Sequence, residues 1–335
     1  MVSGVPVVTS VVPDRAVARG RVTLRGSGLA GTDRSIAFVG DSPARISFAS
    51  DRRLIVIVPE DAEGGLTPVR FDGETLAHVR IGSPCATGLH QVDNPVFDDV
   101  GNLFVTYSGS RGQEAPVSIF RVTSAGTREP FVSGIVNPTS MTFGPDRRLY
   151  VSSRFEGSVY RIAADGTPEQ VASDLGVACG IAFDADGWMY VGDRSGTIFR
   201  VRDGRAAAFA SLPPSVAAFH LAMSPSGDLY VTAPTLGTYD ALYCIDRQGE
   251  VTTISSSLGR PQGLAFGPEG SLYVVDALAG SSSVHRRDAD GSFPPVVAGS
   301  TLVGLAFGPH GEFVVTSADT AYRFDEPLAH TTPAT

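Results

Sequence analysis

One phrase recurs along this chain with variations: NPVFDDVGNLFVTY, TSMTFGPDRRLYVSS, CGIAFDADGWMYVGD, HLAMSPSGDLYVTA, QGLAFGPEGSLYVVD and VGLAFGPHGEFVVTS. Anchored on the last apolar residue before each turn, the copies fall at Phe97, Phe143, Phe183, Met223, Phe266 and Phe307, spaced by 46, 40, 40, 43 and 41 residues. Repetition at such a period constrains the fold more than any other feature, because each copy must be a unit that cannot bury its apolar face alone. Within a copy, a short apolar run enters a Gly-, Pro- or Asp-containing turn and leaves in an apolar or aromatic run, which predicts a β-hairpin. Alternating segments such as SVYRI, TIFRV and ALYCI follow, then Gly turns and a last strand such as EQVAS. The unit is a four-stranded antiparallel sheet.

A four-stranded unit of 40 to 45 residues predicts a β-propeller, whose blades pack face to face around a channel. Six copies predict six blades over residues 83–326, with 327–335 as a tail. The last copy shows three clear strands ending at TAYRF, so its outer strand is expected from about 77–92, closing the ring by joining its two ends. Nothing reads as a helix of ten or more residues, and the fold class is all-β. Residues 1–82 lack the repeat and read as short alternating strands (VPVVTSVVP, RVTLRGSGL, SIAFVGD, ARISFAS, RLIVIVPED, LTPVRFDG) at the spacing of a small immunoglobulin-like β-sandwich. The phrases PVVTSVVPDRAVARGRVTLRGSGL and RLIVIVPEDAEGG resemble the TIG (IPT) family. Within them Gly26-Ser-Gly28-Leu-Ala-Gly31 spells GxGxxG, but a strand rather than a helix is expected next, so these are turn glycines and not a dinucleotide loop.

Charge excludes some functions. A net charge of -9 without a basic run argues against nucleic-acid binding, which needs clustered cations. All 26 basic residues are arginine, so no Schiff base or ammonium nucleophile is possible. Cys85, Cys179 and Cys244 lie far apart without CxxC spacing and are expected as free thiols. No apolar run is long enough to span a membrane, and the N-terminus lacks signal-peptide character. As given, the chain is expected to be cytoplasmic, or secreted or periplasmic if a signal has been removed.

Over roughly residues 83–325 the repeats resemble NHL-type and gluconolactonase (senescence-marker)-type propellers. The second resemblance implies a divalent cation at one channel mouth, held by Glu, Asn and Asp side chains four residues before the aromatic anchors. Those positions hold Asp93, Thr139, Cys179, Phe219, Gln262 and Val303. Asp93 and Gln262 are the candidate metal ligands, for Ca²⁺, Mg²⁺, Mn²⁺ or, with the thiol, Zn²⁺, although one carboxylate and one amide make a poor set for a hard ion. The loops after each second strand return to the same mouth and bring Tyr107, Arg111, Arg154, Asp193, Arg194 and Asp276. Arginine there can clamp an anion, while Asp193 or Asp276 can bind hydroxyls or act as a base, or simply cap a loop. Cys179 and His220 begin neighbouring inner strands, where they form a nucleophile–base pair or pack as a small hydrophobe and a carbonyl-bonded imidazole. Candidate catalytic residues are thus Asp93, Asp193, Cys179 and His220. Tyr107, Arg154, Arg194, Gln262 and Asp276 are the candidate ligand contacts. The expected role is to bind a small polar or anionic molecule, or a partner's loop, at the mouth. Lactone or ester hydrolysis and a lyase or cyclase reaction of specialised metabolism are the alternatives, since the scaffold does not decide among them.

Overall fold

The computed structural model describes residues 6–30, 36–278, 281–326 and 328, and every regular element in it is a β-strand. Among the described residues no helix is long and apolar enough to cross a membrane. Apart from residue 328, the tail at 327–335 lies outside the described residues.

The N-terminal strands form a sandwich because their alternation matches the two-residue period of a strand. In Arg21–Ser27 the buried residues are Val22 and Leu24, paired across the sheet with Val56 and Leu54 of Arg53–Ile57. These residues join Leu29, Val39, Val69, Phe71, Val79 and Ile81 in one core. The same alternation turns Arg21 and Arg45 outward, each opposite Ile57 in the register. No helix follows Gly28 among the described residues, and the next strand is Ala37–Val39.

The repeats fold into a propeller. Five are separate four-stranded sheets; the last of these, from the sixth repeat, is completed by Ser83–Thr87, which pairs antiparallel with Thr320–Phe324. The fifth repeat (Pro261–Phe266, Leu272–Leu278, Ser281–Arg286, Pro295–Gly299) differs, because it is the end of a twelve-stranded sheet that continues into the sandwich. The expectation of six separate blades is therefore corrected to five. The physical reason is an open edge: Arg15–Ala16 lies parallel to Pro295–Gly299 on one side and to Glu74–Ile81 on the other, so the outer strand is paired instead of exposed. Gly20 permits this approach, since a Cβ there would stand 2.5 Å from the Ala298 carbonyl oxygen.

Aromatic residues of the repeated phrase join four pairs of neighbouring repeats. The second-strand ring of one repeat meets the anchor ring of the next edge-on or tilted at Phe104–Phe143, Tyr150–Phe183, Tyr230–Phe266 and Tyr273–Phe307, with centroids 4.8–5.7 Å apart. Such contacts contribute about 0.5–1.5 kcal/mol each beyond burial. Where the anchor is Met223, the preceding Tyr190 ring turns to Phe209. The tyrosine hydroxyls also brace the hairpin turns, donating to Asp146, Asp184 and Glu269.

Candidate functional site

The inner strands enclose a channel cavity of about 390 Å³, bounded by Asp93 and Asn94 and reaching the anchors Phe97, Phe143, Phe183, Met223, Phe266 and Phe307. The first repeat supplies its bar. Its inner strand is only Val96–Phe97, and the residues before it cross to other blades. Asn94 donates through Nδ2 to the Leu264 carbonyl (2.7 Å) and accepts from the Leu305 N–H at Oδ1 (3.0 Å). Gln91 donates to the Asp93 carbonyl at 2.7 Å and accepts from the Thr106 N–H at 2.8 Å. Two glycines make room, because a Cβ on Gly263 would meet Asn94 Oδ1 at 2.2 Å and one on Gly304 would meet the Asn94 Cα at 2.7 Å.

Asp93 ends this bar. Its Oδ1 lies 2.6 Å from His220 Nδ1 and accepts the Asn94 N–H at 2.7 Å, with both side chains of the pair buried. The other imidazole nitrogen, His220 Nε2, is buried with no hydrogen-bond partner among the described residues. The pair joins the first repeat to the fourth, a contact invisible to local spacing. Cys179 is near enough to Asp93 to feel its charge, and burial pushes its thiol up to about 12, only partly opposed by the Phe219 N–H, Arg154 and Arg194. A thiol so protonated does not attack carbonyls near neutrality. Iodoacetamide at pH 8 is expected to leave Cys179 unmodified in the folded chain and to alkylate it in guanidinium, as peptide mass spectrometry will show; labelling of Cys179 in the folded chain would contradict this.

Around this pair the loops place arginines. Burial lowers the pKa of half-buried Arg154, and the like charges of Arg194 and Arg111 lower it further. Arg194 donates to the Val216 carbonyl at 3.1 Å, and no carboxylate among the described residues pairs with any of the three. His90 sits beside Tyr107, ring centroids 6.2 Å apart, and its pKa is lowered by burial and then by Arg154. No motif in the sequence marks His90, and only the turn of the chain brings it to this cluster.

The remaining candidates are engaged elsewhere. Asp193 accepts the Val177 N–H at 2.7 Å and the Ser195 hydroxyl, so it caps the loop leading into the third inner strand. Asp276 does the same in the fifth repeat, accepting the N–H groups of Gly259 (2.9 Å) and Arg260 (2.6 Å). Gln262 lines a different cavity from Asp93, between the sandwich and the propeller. Among the described residues no group of three or more His, Cys, Asp or Glu is assembled to hold a metal ion. With Asp93 Oδ1 already shared by two donors and Gln262 turned to another cavity, these residues do not fit the cation centre that the resemblance implies.

Known proteins share this architecture. Residues 6–81 match the IPT/TIG domain, and residues 180–201 match the strictosidine synthase-like N-terminal family. No curated protein matches the sequence. Among solved structures, a gluconolactonase from Xanthomonas campestris is similar at 15% identity and a TM-score of 0.59, over 88% of this chain and 98% of that one. An auxiliary nutrient binding protein from Bacteroides thetaiotaomicron is similar at 11% identity and 0.56, over 96% and 97%. A virginiamycin B lyase from Staphylococcus aureus is similar at 14% identity and 0.53, over 90% and 98%. At these identities the likeness is one of fold: an IPT/TIG domain followed by a gluconolactonase-like β-propeller.

Proposed function

We propose that the chain binds a small polar anion at the propeller mouth. The observation that supports this reading is that Arg111, Arg154 and Arg194 lie within range of one another's charge, with no ion-pair partner among the described residues, beside a partly buried His90. Like charges held together raise the energy of the free protein, and an anion relieves both their repulsion and the burial of Arg154. Asp93 bounds the channel cavity and holds His220 behind it, and Tyr107 packs edge-on against His90.

Calorimetric titration of the full chain with gluconate, glucuronate and inorganic phosphate tests this. At least one is expected to bind, and Arg154→Ala and Arg194→Ala are each expected to weaken it about tenfold, the size of a lost charge-assisted hydrogen bond. Unchanged affinity in both variants would remove the proposal. The His90 signal in an NMR titration supplies a second readout. An anion beside Arg154 offsets the guanidinium's field, so the His90 pKa is expected to rise on binding, and by linkage affinity strengthens as pH falls through that titration.

A hydrolytic reading draws on His220, whose Nδ1 is held by Asp93 while Nε2 is unengaged, the arrangement of an oriented general base. In it, water admitted to the buried His220 Nε2 gives up a proton to it while adding to a lactone carbonyl, Arg154 or Arg194 stabilises the oxyanion, and the imidazolium returns the proton to the ring oxygen as the acyl C–O bond breaks. Lactone turnover that survives His220→Gln in a folded chain would exclude this role.

A further inference from the structure

We propose that the cleft between sandwich and propeller is a second binding site, for an organic anion that carries a carboxylate or phosphate on an apolar body. The cleft encloses about 620 Å³, within the range of small-molecule pockets. Arg21, Arg45 and Ile57 line it from the sandwich, and Arg260, Gln262 and Val303 from the propeller. No Asp or Glu among the described residues lines it, in a chain whose net charge is -9.

The register explains how the basic wall is built. Arg21 and Arg45 lie opposite Ile57 on the strands to either side, so the three residues form a row on one sheet face. The two arginines are two strand spacings apart, about 10 Å, with an apolar side chain between them. Neither side chain makes a hydrogen bond or ion pair with a described residue. Arg19 also reaches the cleft but is neutralised at its rim by Glu60, 2.6 Å away.

The facing wall is held as firmly. Asp276 accepts the Gly259 and Arg260 N–H groups, and the Ala277 N–H donates to the Arg260 carbonyl at 2.9 Å, so the main chain under Arg260 is fixed on both sides. Asp276 is thus a positioning residue for this wall. Gln262, two residues on, adds an amide that can donate to an anion's oxygen. Arginines from both walls can share one carboxylate or phosphate, while Ile57 and Val303 cover the apolar body. The short parallel pairing of Arg15–Ala16 with Pro295–Gly299 ties the walls to one another.

The test is calorimetry on the full chain at low salt with phenyl phosphate, hexanoate, inorganic phosphate and benzyl alcohol. Phenyl phosphate or hexanoate is expected to bind at least tenfold more tightly than inorganic phosphate, and benzyl alcohol not at all; which of the two binds identifies the headgroup. Arg45→Ala and Arg260→Ala, one from each wall and both exposed, are each expected to weaken binding at least fivefold with Tm unchanged. Arg154→Ala, at the mouth, is expected to leave it unchanged. Absence of binding by both amphipathic anions at millimolar concentration would overturn the proposal. So would loss of binding in Arg154→Ala with retention in the two cleft variants, and so would inorganic phosphate binding to Arg154→Ala, whose mouth is disabled, as tightly as either organic anion.

Discussion

Replacing Asp93 by alanine is expected to lower the unfolding free energy by about 3 kcal/mol or more, because it orphans a buried partner. The His220 side chain is 0% exposed and its Nδ1 is satisfied by Asp93 alone, while Nε2 already has no partner. Without the carboxylate both imidazole nitrogens are buried unpaired, and the tie between the first and fourth repeats is lost. Chemical denaturation of Asp93→Ala, His220→Phe and the double variant separates the pair from its members. The double variant is expected to be more stable than the sum of the single losses requires, since removing both partners leaves no orphaned imidazole and only the Asn94 N–H loses its acceptor. Strict additivity would mean that the 2.6 Å contact adds nothing to stability.

Gly304→Ala is expected to cost about 2–3 kcal/mol, as overpacking does where the neighbour cannot yield. A Cβ at this position would stand 2.7 Å from both the Asp93 carbonyl oxygen and the Asn94 Cα. Those atoms are main chain, and Asn94 is tied by its side chain to Leu264 and Leu305, so relief requires moving the whole bar. The displacement is passed to Asp93, and any affinity for anions at the mouth should fall with Tm. Gly267→Ala is the control: there the nearest atoms are the carboxylate end of Glu269, which can swing away, and the expected cost is below about 1 kcal/mol. Equal Tm losses in the two variants would show that close approach to the bar is not what requires glycine at position 304.

The repeat reads so clearly because its residues act locally. Turn chemistry, two-residue alternation and the aromatic pair all lie within one copy or between consecutive copies, and rings such as Tyr150 and Phe183 meet because successive blades are neighbours in space. The fifth repeat carries the same phrase as the others, yet its sheet runs on into the sandwich. What merges them is the two-residue strand Arg15–Ala16, too short to have a periodicity of its own. Asp193 and Asp276 show the same limit within the candidate site. Their place after the second strand is local, but whether a carboxylate there faces a ligand or a backbone N–H depends on the path of the loop beside it.

Sequence alone determined that this chain is all-β, a sandwich followed by a propeller, because strand period, turn residues and a forty-residue repeat are properties of neighbouring positions. Tertiary structure decided which polar groups meet. Asp93 and His220 are 127 positions apart, and Arg45 and Arg260 face one cleft from two different folds. Such contacts depend on how blades close around an axis and how one sheet edge is covered. Residue order constrains those only through the sum of many packing contacts, and no single spacing encodes them.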